Sequence, residues 1–414
     1  MENSPYKITP GIMSQTGANL GKVFLLIAFL TLTISKASAG SPKAASEANI
    51  KKVTFPKPLH FLGSGKGVAR FDPLNKVFIK NIMKRTANWQ LNHPVKHNKL
   101  NWEYGAFDAG LWALYKVTGN GRYMNVIKKV GKAHHWELMD PVYMADHLAI
   151  GQSYLDIYMQ DHNDRILQNM KWVAGMYLKR HASADVRFQG NPYRFEWWSW
   201  CDALFMGPPF FAKMYQATGN KKYLDYMNKH WWLTSHYLFD SNSHLFYRDD
   251  RFFNARAPNG SKVFWCRGNG WVMGGLVRIL QVMPKGYKSR GQFVTQFREM
   301  AQEIVSIQSS DGLWRPSLLD PQEYNVGESS GSAFFCYALA WGVNSGILKG
   351  EKYKQAAIKA WKGLVGNVNK QGRLGYVQPV GGSPKSVKKD QYEVYGTGAF
   401  LLAGRQMLHL VTNN

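Results

Sequence analysis

From about residue 75 onward, apolar and polar positions repeat one kind of unit. A run that is apolar almost throughout and rich in small residues ends in a Gly/Asn turn. A segment follows in which apolar residues recur at helical spacing and the other face carries Lys and Arg. DAGLWALYKVTGNGRYMNVIKKVGKAHHW (108–136) is one such unit and DALFMGPPFFAKMYQATGNKKYLDYMNKHWWLT (202–234) another. Both contain Y-x-x-TGN-x-x-Y, from Tyr115 to Tyr123 and from Tyr215 to Tyr223. Gly and Asn tolerate the left-handed conformation that closes a helix, so each TGN predicts a helix end followed at once by a new start. The flanking tyrosines are expected to pack across the turn. Looser copies follow at 268–308 and 331–368, and GTGAFLLAGRQMLHL (396–410) reads as a last helix. Strand-like runs are short and lie between the pairs, as in HLFYRDDRFF (244–253) and GRLGYVQPV (372–380). No Gly-rich phosphate fingerprint follows a strand, and no β/α alternation suggests a parallel sheet. The pattern predicts an all-α ring of helical hairpins, an (α/α) barrel with apolar inner helices and amphipathic, basic outer ones.

The first residues read differently. VFLLIAFLTLTI (23–34), preceded by Lys22 and followed by Ala37-Ser38-Ala39, has the length and flanks of a signal peptide. It is short for a membrane span. Residues 1–39 are therefore expected to be removed on export to the periplasm or beyond, which leaves no stable membrane association. Residues 40–74 form a polar leader and approach segment, and 75–414 the catalytic-size domain. The formal net charge is +25, of which the signal supplies only +2 (Lys7, Lys22 and Lys36 against Glu2). Such a surface attracts polyanions over about 8 Å at physiological salt. No basic tail, zinc-finger spacing or RNA-binding signature accompanies it, so no nucleic acid is expected and an acidic polysaccharide is the natural partner. A basic surface that serves solubility alone is the other reading. Three cysteines, Cys201, Cys266 and Cys336, cannot build a disulfide framework, and each sits in an apolar run as a small buried residue would. The histidines lack metal-ligand spacing, so no metal is expected.

One stretch stands out chemically. WWSWCDALFMGPP (197–209) places a single acid, Asp202, among tryptophans and an apolar run. A carboxyl held in such surroundings keeps its proton above the ordinary range near 3.9 and becomes suited to general acid/base work. A helix cap or an arginine partner would also account for it. Asp146, in MADHLAIG, either assists as a second carboxylate or caps the helix that begins near His147. Asp108, in GAFDAG, is a third acid, read as a cap or a hydrogen-bonding group inside the barrel.

The segments W-x-D-A-L-F-M (Trp200 to Met206) and W-x-R-G-N-G-W (Trp265 to Trp271), with ESSGSAFFCYALAWG (328–342) and YEVYGTGAFLLAG (392–404), resemble the unsaturated glucuronyl and rhamnogalacturonyl hydrolases of glycoside hydrolase families 88 and 105. The resemblance covers roughly residues 75 to 410 and implies an (α/α)6 barrel of six helical hairpins. It implies removal of a 4,5-unsaturated uronic acid from the non-reducing end of oligosaccharides left by a polysaccharide lyase, of rhamnogalacturonan or pectin type, with no cofactor. The substrate partner is then an unsaturated uronate-terminated oligosaccharide; the oligomeric state is left open. Asp202 becomes the general acid/base and Asp146 the second carboxylate. Arg267 and Asn269 become substrate ligands, and Trp265, Trp271, Trp200, Met206 and Tyr104 pocket walls. Many rhamnogalacturonyl members carry a histidine where this chain has Arg248, which offers a permanently charged clamp for a carboxylate. Arg194, in NPYRFEWW, adds to the same positive field or pairs with Glu196. An inverting hydrolase of saturated acidic glycans, working through two separated carboxylates, and a non-catalytic binder of acidic glycans are the competing functions.

Overall fold

The structure is a computed structural model that describes residues 72–140, 143–180 and 185–412. The signal-peptide expectation and nearly all of the leader lie outside these residues.

Among the described residues the chain folds as thirteen α-helices: α1 (Lys76–Asn92), α2 (Trp102–Thr118), α3 (Gly121–Ala133), α4 (Leu148–Asp161), α5 (Asp164–Lys179), α6 (Ala203–Met206), α7 (Pro208–Thr218), α8 (Lys221–Leu238), α9 (Cys266–Val282), α10 (Arg290–Ser306), α11 (Ser329–Asn344), α12 (Glu351–Gly366) and α13 (Val394–Leu410). Helices α2, α4, α7, α9, α11 and α13 each pack on the next, and α13 returns to α2 to close the ring. Helices α1, α3, α5, α8, α10 and α12 lie outside, each against an inner neighbour. Each outer helix carries the chain back, so the inner helices run in one direction and their N-termini gather at one mouth. The result is an (α/α)6 barrel.

The sequence explains the two layers. From Glu103 to Leu111 every residue of α2 is buried, as is every residue of α11 from Ser329 to Gly342. A helix apolar on all sides has to be enclosed by others. In α3, by contrast, only Tyr123, Ile127 and Gly131 are buried, a single stripe at helical spacing. Close packing in the inner ring depends on residues without side chains. A Cβ on Gly398 of α13 would lie 2.3 Å from the Ala106 carbonyl oxygen of α2.

The TGN turns close as expected. Gly119 (φ 67°) and Gly219 (φ 71°) are left-handed, and their N–H groups donate to the Tyr115 and Tyr215 carbonyls. Asn120 and Asn220 then cap the next helix by accepting from Arg122 and Lys222 N–H. The structure shows a third copy in which His162 (φ 54°) replaces the glycine and Asn163 caps α5. The tyrosines do not meet across the first turn: Tyr115 lies on Trp112, while the Tyr123 hydroxyl donates to Asn88 of α1. Of the strand-like runs, 244–253 supplies half of a two-residue pairing, β1 (Phe239–Asp240) with β2 (Leu245–Phe246). Residues 372–380 form no strand beyond one bridge, Val368 to Leu374.

Candidate active site

At the mouth, the first turns of the inner helices bring together residues far apart in sequence. Asp202 directly precedes α6. It has the position of an N-cap but makes no side-chain cap bond. Its Oδ2 lies 3.5 Å from Arg248 Nε and 3.5 Å from Cys201 Sγ, which donates to it. Only 9% of the residue is exposed. Burial pushes its carboxyl above the ordinary value, and Arg248, then Arg267, pull it back.

Asp146 lies in the 3-10 turn Ala145–His147 that leads into α4, and it caps neither element. Burial is the main cause that raises its carboxyl to about 7, followed by the negative charges of Asp202 and Glu103; Arg248 acts in the opposite sense. The two acids therefore feel each other. Arg248 favours ionisation of both, and Arg267 adds to that pull on Asp202.

Arg248 is the hinge of this arrangement. Its Nη1 reaches Asp249 Oδ2 at 2.5 Å, and its backbone carbonyl accepts from Cys201 N–H. Its guanidinium lies 5.0 Å from the Phe188 ring centre, where Arg251 (4.3 Å) and Arg194 (5.4 Å) also converge. Arg251 is forked onto Asp249. Arg194 does not pair with Glu196, which Arg180 takes. Arg194 instead donates to the Asn191 carbonyl and has no acidic partner among the described residues. Beside it, Phe195 is 38% exposed and meets Trp200 edge-on.

The W-x-R-G-N-G-W residues are placed differently. Arg267 is 1% exposed. Its guanidinium donates to the carbonyls of Gln378, Pro379 and Gly381 and lies between the Trp265 and Tyr395 rings. Asn269 exchanges hydrogen bonds with the Phe246 backbone at 2.7 and 3.0 Å. Trp265 donates to the Gln378 side chain, and Trp271 is enclosed by Phe205, Phe334 and Trp102. Trp200 and Met206 are likewise buried. These residues form the wall behind the acids. Tyr104 is 6% exposed, donates to the Val95 carbonyl and carries Lys99 Nζ 3.6 Å from its ring centre. Asp108 is inside the barrel rather than at a helix end, and burial raises its carboxyl to about 8.

Three residues at the mouth escaped the sequence reading. His97 Nε2 lies 2.8 Å from Glu393 Oε2, and its Nδ1 lies 3.7 Å from Glu103 Oε1. Burial raises the Glu103 carboxyl. The signal was present in WEYGAF and YEVYG, each an acid at the start of an apolar helix, but the pairing with His97 spans almost the whole domain. All three cysteines are free and buried. Among the described residues no cluster of His, Cys, Asp or Glu is arranged to hold a metal.

Residues 75–411 match the family described as Glycosyl Hydrolase Family 88. The chain belongs to glycosyl hydrolase family 88. It is a glycoside hydrolase. The chain is 38% identical over 350 residues to an unsaturated 3S-rhamnoglycuronyl hydrolase of Formosa agariphila, covering 81% of this chain and 92% of that protein. It is 35% identical over 352 residues to a protein of the same name from Alteromonas sp. strain LOR, covering 80% and 85%. A solved family 88 glycosyl hydrolase from Bacteroides vulgatus superposes with a TM-score of 0.74 at 26% identity, over 81% of this chain and 99% of that one.

Proposed function

We propose that this family 88 enzyme removes a 4,5-unsaturated uronic acid from the non-reducing end of an oligosaccharide, with Asp202 as general acid/base. The observation that carries the reading is Asp202 itself: a shielded carboxyl at the barrel mouth, raised by burial, with a second carboxyl and a guanidinium beside it.

The vinyl ether of the unsaturated sugar is the reacting group. Asp202 gives its proton to C4, and positive charge develops on C5 and the ring oxygen. Water adds at C5 and returns a proton to the Asp202 carboxylate, so the catalyst is regenerated. The C5 hemiketal opens to a ketone, the hemiacetal left at C1 collapses, and the next sugar departs with a free hydroxyl. Arg248 controls when Asp202 is acidic. In the free enzyme it favours the carboxylate form; a substrate carboxylate that engages it neutralises part of that charge and lets the Asp202 carboxyl rise. Asp146, its carboxyl raised to about 7, supplies a hydrogen-bond donor in the fraction that keeps its proton near neutral pH.

For the second sugar we propose a rhamnose sulfated at O3, the sense in which we read "3S" in the names of the two relatives. Arg194 supports this, because its guanidinium shares the Phe188 ring with Arg248 and has no acidic partner among the described residues. This choice replaces the rhamnogalacturonan or pectin substrate expected from the sequence. We propose export for the protein as well, supported by residues 22–39.

Lyase digests of ulvan, rhamnogalacturonan and a glycosaminoglycan, followed by ultraviolet absorbance of the conjugated double bond, test the reading. Absorbance should fall fastest in the sulfated rhamnose digest and not at all with a folded Asp202→Asn variant. Cleavage of saturated glycans with every unsaturated digest untouched would refute it.

A further inference from the structure

The outer helices α10 and α12 are neighbours that leave a groove between them. Thr295, Arg298, Gln302 and Val305 follow one stripe of α10 at helical spacing and line two adjoining hollows of about 390 and 460 Å³. From Thr295 to Val305 the helix rises roughly 15 Å, so the hollows make an elongated channel rather than a pit. Its walls are tied at both ends. Arg298 Nε donates to the Ile347 carbonyl at 3.1 Å, and Gln308 Nε2 donates to the Ala356 carbonyl at 3.0 Å.

The charge of this groove is one-sided. Lys352, Lys359 and Lys362 line the first hollow, on one exposed face of α12. Lys349, just before that helix, lines the second hollow with Arg298. Between the cations, Val305, Ala356 and Ile358 supply an apolar floor. Among the described residues that line the hollows, Glu299 is the only acid. The acids close by are engaged: Glu351 accepts from Gln355, and Asp311 is taken by Arg315. Elsewhere lysines have found carboxylates, as Lys128 has Asp161 and Lys262 has Asp240. The five cations of the groove make no ion pair among the described residues.

Charges of one sign along a channel repel one another, and salt screens them only beyond about 8 Å. A single small ion would meet one or two of them. A chain that carries repeated negative charges meets them all, and the apolar floor between suits the C–H faces of sugar rings. We propose that the groove between α10 and α12 binds an interior stretch of an anionic polysaccharide, bearing uronate or sulfate groups, at a site separate from the catalytic mouth. The choice of a glycan rests on the proposed function; the groove and its charge do not. Holding the parent polymer keeps the enzyme where a lyase releases unsaturated ends.

Uncleaved polymers offer the mouth no unsaturated ends, so binding can be read without turnover. Calorimetric titration of the whole protein with intact ulvan and with intact polygalacturonate tests the proposal, the second probe carrying carboxylates without sulfate. Wild type should bind at least one of them. Lys352→Gln, Lys359→Gln and Lys362→Gln combined should weaken that binding roughly 10-fold, while Lys352→Arg, Lys359→Arg and Lys362→Arg combined should keep it. Both variants should consume a short unsaturated substrate at the wild-type rate. The same charge removed from other outer helices, by Lys132→Gln, Lys171→Gln and Lys229→Gln combined, should change affinity roughly 2-fold or less. Equal weakening by the two glutamine triples would mean that net charge alone attracts the polymer, and would overturn the proposal. Unchanged affinity in the groove triple, or tighter binding of double-stranded DNA than of either glycan, would overturn it too. Groove-dependent binding by a protein inactive on every unsaturated digest would sink the proposed function and leave the groove standing.

Discussion

The two most distinctive motifs of the chain part company in the structure. W-x-D around Asp202 and W-x-R-G-N-G-W around Arg267 both lead toward inner helices, both are rich in tryptophan and both carry the resemblance to family 88. Yet the Asp202 carboxyl is met, among the described side chains, by a stretched contact to Arg248 and a thiol. Arg267 has its guanidinium spread over three backbone carbonyls between two aromatic rings, and Asn269 is locked onto Phe246. A buried polar group with most of its bonds made, as in Arg267 where Nε lacks a partner, is held chiefly by the fold; one left largely unsatisfied at an opening is available for chemistry.

The sharpest way to break this contrast is to replace both residues. Asp202→Asn should lower kcat by about 10²–10⁴-fold or more, the range for loss of a positioned proton donor, when absorbance loss is followed in the folded variant. Arg267→Met should act on stability instead. It strips donors from buried carbonyls and should cost about 2–5 kcal/mol in denaturant unfolding, with KM little changed in whatever fraction folds. If Arg267→Met were as stable as wild type and defective only in KM, the residue would belong to the substrate site.

Arg248→Met should lower kcat/KM by roughly 10–100-fold, as expected for one charge-assisted carboxylate contact. It should also move the alkaline limb of the free-enzyme pH profile upward, because the charge that pulls the Asp202 carboxyl down is gone. Asp146 gives a smaller, pH-dependent signal. Its carboxyl is raised to about 7 in the fold, so the folded protein binds a proton that the unfolded chain releases near pH 4. Wild-type stability should fall as pH rises through that window, and Asp146→Asn should flatten the slope. Arg194→Gln should be the mildest change, raising KM several-fold for sulfated substrate and leaving unsulfated substrate unaffected.

The ring was legible because its cause is local. An enclosed inner helix has to be apolar on every face, an outer one on a single stripe, and Gly-Asn turns punctuate them. Asp202 was legible for the same reason: an acid in a tryptophan-rich run is anomalous without knowledge of its neighbours. What the sequence concealed depends on distant partners. Gln378 lies 111 residues from Arg267 and takes its guanidinium through a loop that has no pattern of its own. His97 and Glu393 meet across 296 residues, at the seam where α13 closes onto α2. Arg248, by contrast, was singled out as a departure from the family, and it is the cation found against Asp202.

The most direct test joins stability and activity in one variant. A carboxyl held in a shielded site for catalysis weakens the fold, so its uncharged isostere should relieve that cost. The account predicts that Asp202→Asn melts at or above the wild-type temperature at pH 7 while absorbance loss from unsaturated substrate ceases. A variant that melts well below wild type, or one that is stable and still consumes the double bond, would contradict it.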